Sequence, residues 1–562
     1  MSSTAPWVLG LSASHNGAAC LLKGQKIFVA VQEERLTRVK RQWIYGATRS
    51  LAAEYCLNFA GIRADDLSAV ALSVTGSAAD PEHDLKRNPL LSGNRKKIRT
   101  FVVPHHYAHA LSAYATSGFA ESGILVIDGV GSPAADMFEA ERKAFTHKSE
   151  YGSEIISLYF GSGTLLTPLE KHVVDYGAWL TKRETGMPWF ASLGGMYSAV
   201  AEQIFGNAME AGKVMGLAPF GSPSISIDKF FEIQKGNFLF SELLPAQFAH
   251  NQRWPECEPE YANLAASVQA ALEEALRYLI ERLRKLQSSE NFCYAGGVAL
   301  NSVANEWIIR RSGFKRVHIT PAAEDSGAAI GAAYHALWQI AAENVRYKMK
   351  HDACGRPYSR ASVAAAVRAT TGVRSVPSAD PIGDAVDLLC QGKIIGWFDG
   401  RSEIGPRALG QRSILCDPRR ACNKEVLNRK VKKRESFRPF APAILLEEVE
   451  NWFELDAAPR ESPYMLRVCC FKPEKQDLVP AVVHIDGTGR LQTVTISANG
   501  NFYHLIKRFH DKTGVPILLN TSFNLAGYPI VETPADAIAC LCSTELDCCI
   551  FEDQIVFKHT NW

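Results

Sequence analysis

The sequence predicts an α/β protein with two domains: residues 1–345 form a duplicated, two-lobed domain, and residues 361–562 form a second α/β domain. Three observations support this prediction. The chain opens with a strand–turn–strand–turn–strand pattern. Two later apolar strands end in Asp or Gly and lead into helical patterns. Residues 346–360 are polar with Gly and Pro, as in a linker, and a chain of 562 residues is long enough for several domains.

The opening pattern begins with a strand at Trp7–Ser12. The turn Ala13–Gly17 follows, in which Asn-Gly supports the positive φ angles of a hairpin. Two more strands are predicted, at Ala18–Leu22 and Ile27–Val31. Actin-like and sugar-kinase-like folds approach nucleotide phosphates with such an arrangement, although an ordinary β-meander fits the topology equally well.

Composition and charge exclude several classes of function. Lys and Arg number 61 against 59 Asp and Glu, and no basic stripe indicates a nucleic-acid surface. No apolar run of about 18 residues indicates a membrane span, and the N-terminus lacks the pattern of a signal peptide. The 14 cysteines include no paired Cys-x-x-Cys knuckle, which favours reduced, buried thiols in a cytoplasmic enzyme.

The segment around His105 predicts a metal site. His105 and His109 are four residues apart, so a helix would place both imidazoles on one face. Asp128 ends an apolar strand, where α/β folds place their chemistry, and Asp325 opens a helical pattern as a candidate fourth ligand. Such a histidine pair also occurs without a metal. A zinc protease is excluded, because its general-base Glu would have to replace His106.

Other segments suggest contacts with anions. Gly296 and Gly297 stand between a strand and a helical pattern, so their backbone N–H groups could approach a phosphate. Lys213 follows a Gly turn and could meet a phosphate or carboxylate. Arg38 and Lys40 belong to a charged cluster after the third strand, which either is solvated or faces an anion.

The second domain concentrates cations on rigid backbone. The segment 400–413 carries three arginines, Arg407 among them, around three glycines and a proline. The segment 430–442 adds five cations within nine residues, and Arg490 closes a Gly-rich turn. A solvated surface is the default for each segment alone. Cations fixed among rigid and apolar residues, however, suit a polyanion such as a triphosphate, because Arg forks onto phosphate oxygens.

Ten short blocks, each weak alone, occur along the chain: His15–Gly17, Glu33–Arg35, His105 and His109 with Asp128, Gly212–Gly216, Gly296–Gly297 with Asn301, Asp325–Ala329, Gly405–Gly410, Phe437–Pro442, Asp486–Arg490 and Asn520–Asn524. In this order and spacing, the chain resembles the O-carbamoyltransferases of nodulation-factor and antibiotic biosynthesis, the NodU/CmcH type. The resemblance implies an actin-like (ASKHA) two-lobed N-terminal domain, similar to that of the tRNA threonylcarbamoyl transferases, and a YrdC-like α/β C-terminal domain.

The resemblance also implies an activity. The C-terminal domain would convert carbamoyl phosphate and Mg-ATP to carbamoyl-adenylate and diphosphate. The N-terminal domain would then transfer the carbamoyl group to a hydroxyl of a small-molecule natural product. The acceptor is not predicted, although its pocket is expected around residues 133–190 and 222–260. The oligomeric state is also open, with a homodimer as one arrangement.

The resemblance assigns residues to these two steps. A divalent ion, iron(II) by analogy although zinc accepts the same donors, would be held by His105, His109, Asp128 and Asp325. His15 is expected to act as a base or to position a ligand, and Lys432 and Arg438 are expected to serve adenylate formation. Nucleotide and carbamoyl phosphate are expected to contact Lys40, Lys213, Gly296, Gly297, Asn301, Arg407, Lys432, Arg438, Arg490, Asn520 and Ser522.

Two alternatives remain at this stage. An actin-like ATP-binding regulatory or scaffold protein would explain the Gly turns but not the cation-rich blocks. A hydrogenase-maturation carbamoyltransferase shares both domains, but it would also need an acylphosphatase domain and Cys-x-x-Cys zinc knuckles ahead of them.

Overall fold

The computed structural model describes residues 5–45, 48–75, 85, 87–91, 98–149, 151–175, 191–241, 254–341 and 347–559. The chain divides into two compact units. The first comprises Met1–Phe28 and Trp43–Met349, and the second comprises Val29–Gln42 and Lys350–Trp562. The division falls within the predicted linker. The segment Val29–Gln42, which the sequence placed in the first domain, packs with the second unit.

Two five-stranded sheets organise the first unit. The strands that precede the second unit's own sheet are β1 (Trp7–Ala13), β2 (Ala18–Lys23), β3 (Lys26–Gln32), β4 (Ala69–Val74), β5 (Arg99–Pro104), β6 (Glu121–Ile127), β7 (Ser153–Ser162), β8 (Leu165–Val174), β9 (Phe231–Gln234), β10 (Asn237–Phe240), β11 (Asn291–Ala295) and β12 (Arg316–Ile319). The sheet orders are β3-β2-β1-β4-β5 and β8-β7-β6-β11-β12. In both sheets, strands β1 and β2, β6 and β7, and β7 and β8, which follow each other directly, pair antiparallel. Strands that are joined by a longer crossover connection pair parallel. This repeated order confirms the predicted duplicated, actin-like α/β fold.

Helices connect and cover these sheets: α1 (Glu33–Thr37), α2 (Leu51–Ala60), α3 (His105–Ser117), α4 (Glu139–Lys143), α5 (Leu193–Phe205), α6 (Ala211–Leu217), α7 (Glu258–Leu286), α8 (Ser302–Arg311) and α9 (Ser326–Ile340). Small residues in α9 let it pack closely on α3, because a Cβ atom at Gly331 would lie 1.7 Å from the carbonyl oxygen of Ala108. This close packing joins the helix that carries the His pair to the helix that follows Asp325.

The second unit is built on a nine-stranded sheet in the order β13-β21-β20-β14-β15-β19-β16-β18-β17. Its strands are β13 (Val373–Pro377), β14 (Ile395–Phe398), β15 (Arg412–Cys416), β16 (Ala441–Leu445), β17 (Arg467–Cys470), β18 (Thr488–Val494), β19 (Ile517–Ser522), β20 (Cys548–Ile550) and β21 (Gln554–Lys558). Its helices are α10 (Arg360–Ala369), α11 (Pro381–Cys390), α12 (Cys422–Val426), a π-helix (Leu427–Lys432), α13 (Val449–Trp452), α14 (Pro473–Gln476), α15 (Gly500–Thr513) and α16 (Pro534–Cys542). Strands and helices share one apolar core, as the sequence predicts for a second α/β domain.

The predicted linker is ordered where it enters the second unit. The amide of Gly355 donates to the carbonyl oxygen of Ser402 at 2.8 Å, and Ala353 forms a β-bridge with Glu403. Each of the 14 cysteines is a free thiol. Within the described residues, no helix has both the length and the apolar composition needed to cross a membrane.

Candidate functional site

Four side chains predicted as metal ligands meet in the first unit. Helix α3 places His105 and His109 on one face, Asp128 follows β6, and Asp325 precedes α9. The two Nε2 atoms are 3.0 Å apart. Asp128 Oδ2 lies 3.3 and 3.4 Å from the Nε2 atoms of His105 and His109, and Asp325 Oδ1 lies 3.3 and 3.5 Å from them. The candidate ligand atoms all lie within 4.8 Å of one another.

The donor set fits a divalent ion. Two donors that both bind one ion at about 2.1 Å are separated by roughly 3.0–3.4 Å between right-angle and tetrahedral geometry. The distances from each histidine Nε2 atom to the other candidate ligand atoms, 3.0–3.5 Å, are close to this range. Both imidazoles are fully buried. Their Nδ1 atoms have no hydrogen-bond partner within the part of the chain that the structure describes, so the Nε2 atoms are the ones directed at the carboxylates. Imidazole and carboxylate donors together suit iron(II) or zinc.

The electrostatics of the cluster also favour a cation. Burial lowers the pKa of His105, but the charges of Asp325 and Asp128 outweigh burial and raise it to about 10. Burial raises the pKa of both carboxyls, but in each the neighbouring histidines hold the pKa below its usual range. Two ionised carboxylates beside two buried imidazoles form a pocket that positive charge would stabilise.

His15 lies at the edge of this cluster. Its Nδ1 atom is 3.1 Å from Asp325 Oδ2, and about a third of its side chain is exposed. Its Nε2 atom lies 3.5 Å from Asn16 Nδ2, at the long limit of a hydrogen bond. The Trp43 ring, 6.2 Å from the His15 ring, stacks on Tyr45, and both aromatic residues are exposed. No periodic pattern in the sequence marks this aromatic pair, so it could not be predicted from the sequence.

The two glycines expected at a phosphate lie beside the candidate metal ligands. Gly296 has φ +94°, and its amide donates to the carbonyl oxygen of Ala323 at 2.8 Å. The amide of Gly297 lies 3.3 Å from Asp128 Oδ1 and donates to it. Gly297 therefore helps to orient the carboxylate of Asp128, a candidate metal ligand. Their contact with a nucleotide stays a prediction.

Two further expected nucleotide contacts have local partners. Asn301 caps α8 by accepting from the amide of Ala304 at 3.0 Å, and it exchanges hydrogen bonds with Gln269 at 2.8 and 3.2 Å. Lys213 Nζ lies 3.8 Å from Glu210 Oε2. Both side chains are engaged within the first unit, and their proposed ligand contacts stay predictions.

A cluster of cations lies in the second unit, formed by Arg407, Arg434, Arg438 and Arg490. Burial and the charge of Arg438 lower the pKa of Arg407 to about 10, and the same two causes lower that of Arg434 to about 9. Burial and three neighbouring guanidinium groups hold the pKa of Arg490 well below its usual value. Among the described residues, the ion-pair partner of this cluster is Glu435, 3.8 Å from Arg438. The cluster is therefore short of negative charge.

Lys432 ends the π-helix beside this cluster and is 5 % exposed. Its Nζ atom donates to the carbonyl oxygen of Ser522, lies 3.3 Å from Ser522 Oγ, and donates to Asn524 Oδ1 at 2.8 Å. Burial and the charge of Arg434 hold the pKa of Lys432 well below its usual value, and Lys40 adds to this effect. A π-helical turn is rare and often marks a functional position.

Of the residues expected to bind anions, the second unit brings Arg407, Lys432, Arg438, Arg490 and Ser522 together, with two further residues beside them. These are Arg434 and Asn524, which the sequence places within larger polar segments without marking them individually. Lys40 belongs to the second unit, not to the first as the sequence suggested. Asn520 is buried, and its Nδ2 atom donates to the carbonyl oxygen of Ala408 at 3.2 Å and to Gln492 at 2.8 Å. It therefore holds the loop that follows Arg407.

Comparison with known proteins identifies the family. Residues 85–334 match the family model for the carbamoyltransferase N-terminus, and residues 386–558 match that for the carbamoyltransferase C-terminus. Nodulation protein NolNO of Sinorhizobium fredii is 33% identical over 97% of this chain and 79% of that protein. Nodulation protein U of the same species is 27% identical over 95% of this chain and 96% of that protein.

Other likenesses cover a smaller part of the chain. The 3'-hydroxymethylcephem-O-carbamoyltransferase of Amycolatopsis lactamdurans is 29% identical over 58% of this chain and 61% of that enzyme. Among solved structures, HypF of T. kodakarensis aligns with a TM-score of 0.38 at 14% identity, over 60% of this chain and 48% of that one. The family matches and the full-length relatives carry the assignment: the chain belongs to the carbamoyltransferase family and is an enzyme of that family.

Proposed function

We propose that the protein is an ATP-dependent O-carbamoyltransferase with two active sites. Carbamoyl-adenylate forms in the second unit, and the carbamoyl group passes to a hydroxyl of a small-molecule natural product in the first unit. The observation that carries the proposal is the half-buried, carboxylate-poor cluster of cations in the second unit. Holding several partly desolvated cations close together is unfavourable unless an anion neutralises them, and a triphosphate supplies the charge to do so.

The first half-reaction uses these cations. Water releases inorganic phosphate from carbamoyl phosphate and leaves carbamate. A carbamate oxygen attacks the α-phosphorus of ATP, the bond to the β-phosphate oxygen breaks, and diphosphate leaves. Arg407, Arg434 and Arg490 neutralise the charge that develops on the triphosphate, while Lys432, Arg438 and Ser522 hold the carbamate and the α-phosphate.

The second half-reaction uses the first unit. The acceptor hydroxyl oxygen attacks the carbamoyl carbon, the bond between that carbon and the phosphate oxygen breaks, and AMP leaves with the electron pair. His15 takes the hydroxyl proton on its Nε2 atom. Its Nδ1–H is directed to Asp325 Oδ2, and this contact holds the imidazole in the tautomer whose Nε2 carries no proton. A divalent ion, iron(II) by family analogy, held by the two histidines and two aspartates would supply positive charge to the reacting oxygens.

Release of diphosphate tests the proposal. The protein is incubated with Mg-ATP and carbamoyl phosphate without an acceptor, and diphosphate is measured. We expect release that depends on both substrates and falls sharply in Arg490→Met but not in the matched control Arg368→Met, an exposed arginine of α10. A regulatory or scaffold protein would release no diphosphate, and that result would reject the proposed activity.

The acceptor is then found by mass. Purified protein, both substrates and a panel of hydroxylated small molecules are incubated together, and the acceptor is the compound that gains one carbamoyl group. Metal analysis of the same preparation distinguishes iron from zinc.

A further inference from the structure

The start of helix α3 lacks the usual cap. The residue before the helix is Pro104, whose side chain cannot accept a hydrogen bond, although the first amides of a helix need acceptors. The amide of His105 donates to Ser132 Oγ at 2.9 Å, and the amide of His106 donates to Glu154 Oε1 at 2.9 Å. The cap of the helix that carries both candidate histidine ligands therefore comes from distant parts of the chain.

The carboxylate of Glu154 joins two parts of the metal cluster. The same Oε1 atom that accepts from His106 also accepts from the amide of Ser132 at 3.0 Å. His106 is adjacent to one ligand on α3, and Ser132 ends the loop that begins at Asp128. One oxygen atom thus fixes the helix that carries His105 against the loop that carries Asp128.

Glu154 is itself held by a buried network. Its Oε2 atom accepts from Lys171 Nζ, which also donates to Glu141 Oε1 at 2.6 Å. Tyr159 donates its hydroxyl to the same Glu141 oxygen at 2.7 Å. Glu141, Glu154, Tyr159 and Lys171 are all fully buried. Such a network is retained only when its members satisfy one another, so the position of Glu154 is closely defined.

We propose that Glu154 is a positioning residue of the metal centre, which sets the distance between the α3 histidines and Asp128 through its Oε1 atom, with Lys171 holding it in place. The inference rests on the proposed function, because it assumes that the four-residue cluster binds a metal. Groups that orient metal ligands typically change metal affinity by about 10- to 100-fold when removed.

Two double variants separate the bridging oxygen from the charges. Glu154→Gln/Lys171→Met and Glu154→Ala/Lys171→Met both remove the carboxylate and the ammonium, but only the first keeps an acceptor where Oε1 lies. Burial already raises the pKa of Glu141, so this residue can take its neutral form when Lys171 is lost. Leu57→Ala, a buried position on α2, is the control for general destabilisation.

The measurement is the affinity of each full-length protein for Co(II), followed by its visible absorption bands, at a temperature where circular dichroism shows every variant folded. We expect the Gln pair and Leu57→Ala to bind within about 3-fold of the unmodified protein and the Ala pair at least about 10-fold more weakly. Diphosphate release by the second unit should be unchanged in all of them.

The outcomes are distinguishable. If the unmodified protein binds no Co(II), the proposed metal role fails and the inference fails with it. Two results would reject only the positioning role. In one, the unmodified protein and the Ala pair bind Co(II) equally well; in the other, the Gln pair binds Co(II) as weakly as the Ala pair. Should the Ala pair not fold, Gly131→Ala replaces it, because its Cβ would lie 2.6–2.8 Å from Glu154 and His106 and displace the bridge. Unchanged affinity in Gly131→Ala would then overturn the inference.

Discussion

Substituting Gly296 by Ala should damage the metal cluster without removing any polar group. Gly296 has φ +94° and ψ 162°, a backbone region that is essentially restricted to Gly and costs other residues about 1–3 kcal/mol. An added Cβ would also lie 2.1 Å from the carbonyl oxygen of Ile127, the residue before Asp128, where ordinary contact begins at 3.4 Å. Since backbone must then move by about 1 Å, we expect a total destabilisation of roughly 3–5 kcal/mol and a shift of Asp128.

The matched control is Gly61→Ala. Gly61 also has a positive φ of +65°, but nothing lies within 4 Å of an added Cβ, so only the backbone strain of about 1 kcal/mol is expected. The assay combines denaturant unfolding with Co(II) titration under folded conditions. We expect Gly296→Ala to lose at least about 10-fold in Co(II) affinity and Gly61→Ala to keep it. Equal stability and equal affinity in the two variants would refute the reasoning.

Three more predictions concern single side chains. Burial and neighbouring cations hold the pKa of Lys432 well below its usual value, so diphosphate affinity should fall as the pH rises through that lowered pKa, and binding should take up a proton. Calorimetry in two buffers of different ionisation enthalpy measures the proton uptake. Binding that is independent of pH and takes up no proton would count against this prediction. Arg434→Gln should reduce the rate of diphosphate release by roughly 10²-fold, whereas Lys433→Gln, at the neighbouring exposed residue, should change it little. Equal rates of diphosphate release in the two variants would exclude Arg434 from the site. His15→Gln should slow transfer from supplied carbamoyl-adenylate by about 10²- to 10⁴-fold, and an unchanged rate would exclude it as the base.

Local patterns were sufficient to predict which four candidate metal ligands meet. The spacing of His105 and His109 is a property of one helix, and a strand that ends in Asp128 delivers its carboxylate to the edge of the sheet. Asp325 could be proposed because it precedes a helix rich in small residues, and the close contact of that helix with α3 explains why it reaches the histidines. The opening strands and the two later strand–helix units likewise predicted a duplicated domain, and the repeated sheet order is the structural form of that duplication.

Long-range contacts could not be predicted in the same way. Glu154 and Lys171 lie in β7 and β8 among alternating residues, and nothing in the sequence marks them as buried partners of α3. The charged segment after β3 was expected to be solvated or to face an anion in the first domain. The segment packs with the second unit, where the buried Arg35 donates to the carbonyl oxygen of Gly405 at 2.8 Å, and its contact with an anion stays a prediction. Such pairings depend on tertiary packing between residues hundreds of positions apart.

Two variants test most directly whether one chain holds two separate active sites. Lys432→Ala removes a cation of the second unit, and His109→Ala removes a candidate metal ligand of the first. Each is assayed for diphosphate release from Mg-ATP and carbamoyl phosphate, and for carbamoyl transfer from supplied carbamoyl-adenylate to an identified acceptor. We expect Lys432→Ala to lose the first activity and keep the second, and His109→Ala to do the reverse. Loss of both activities together in either folded variant would contradict the two-site account.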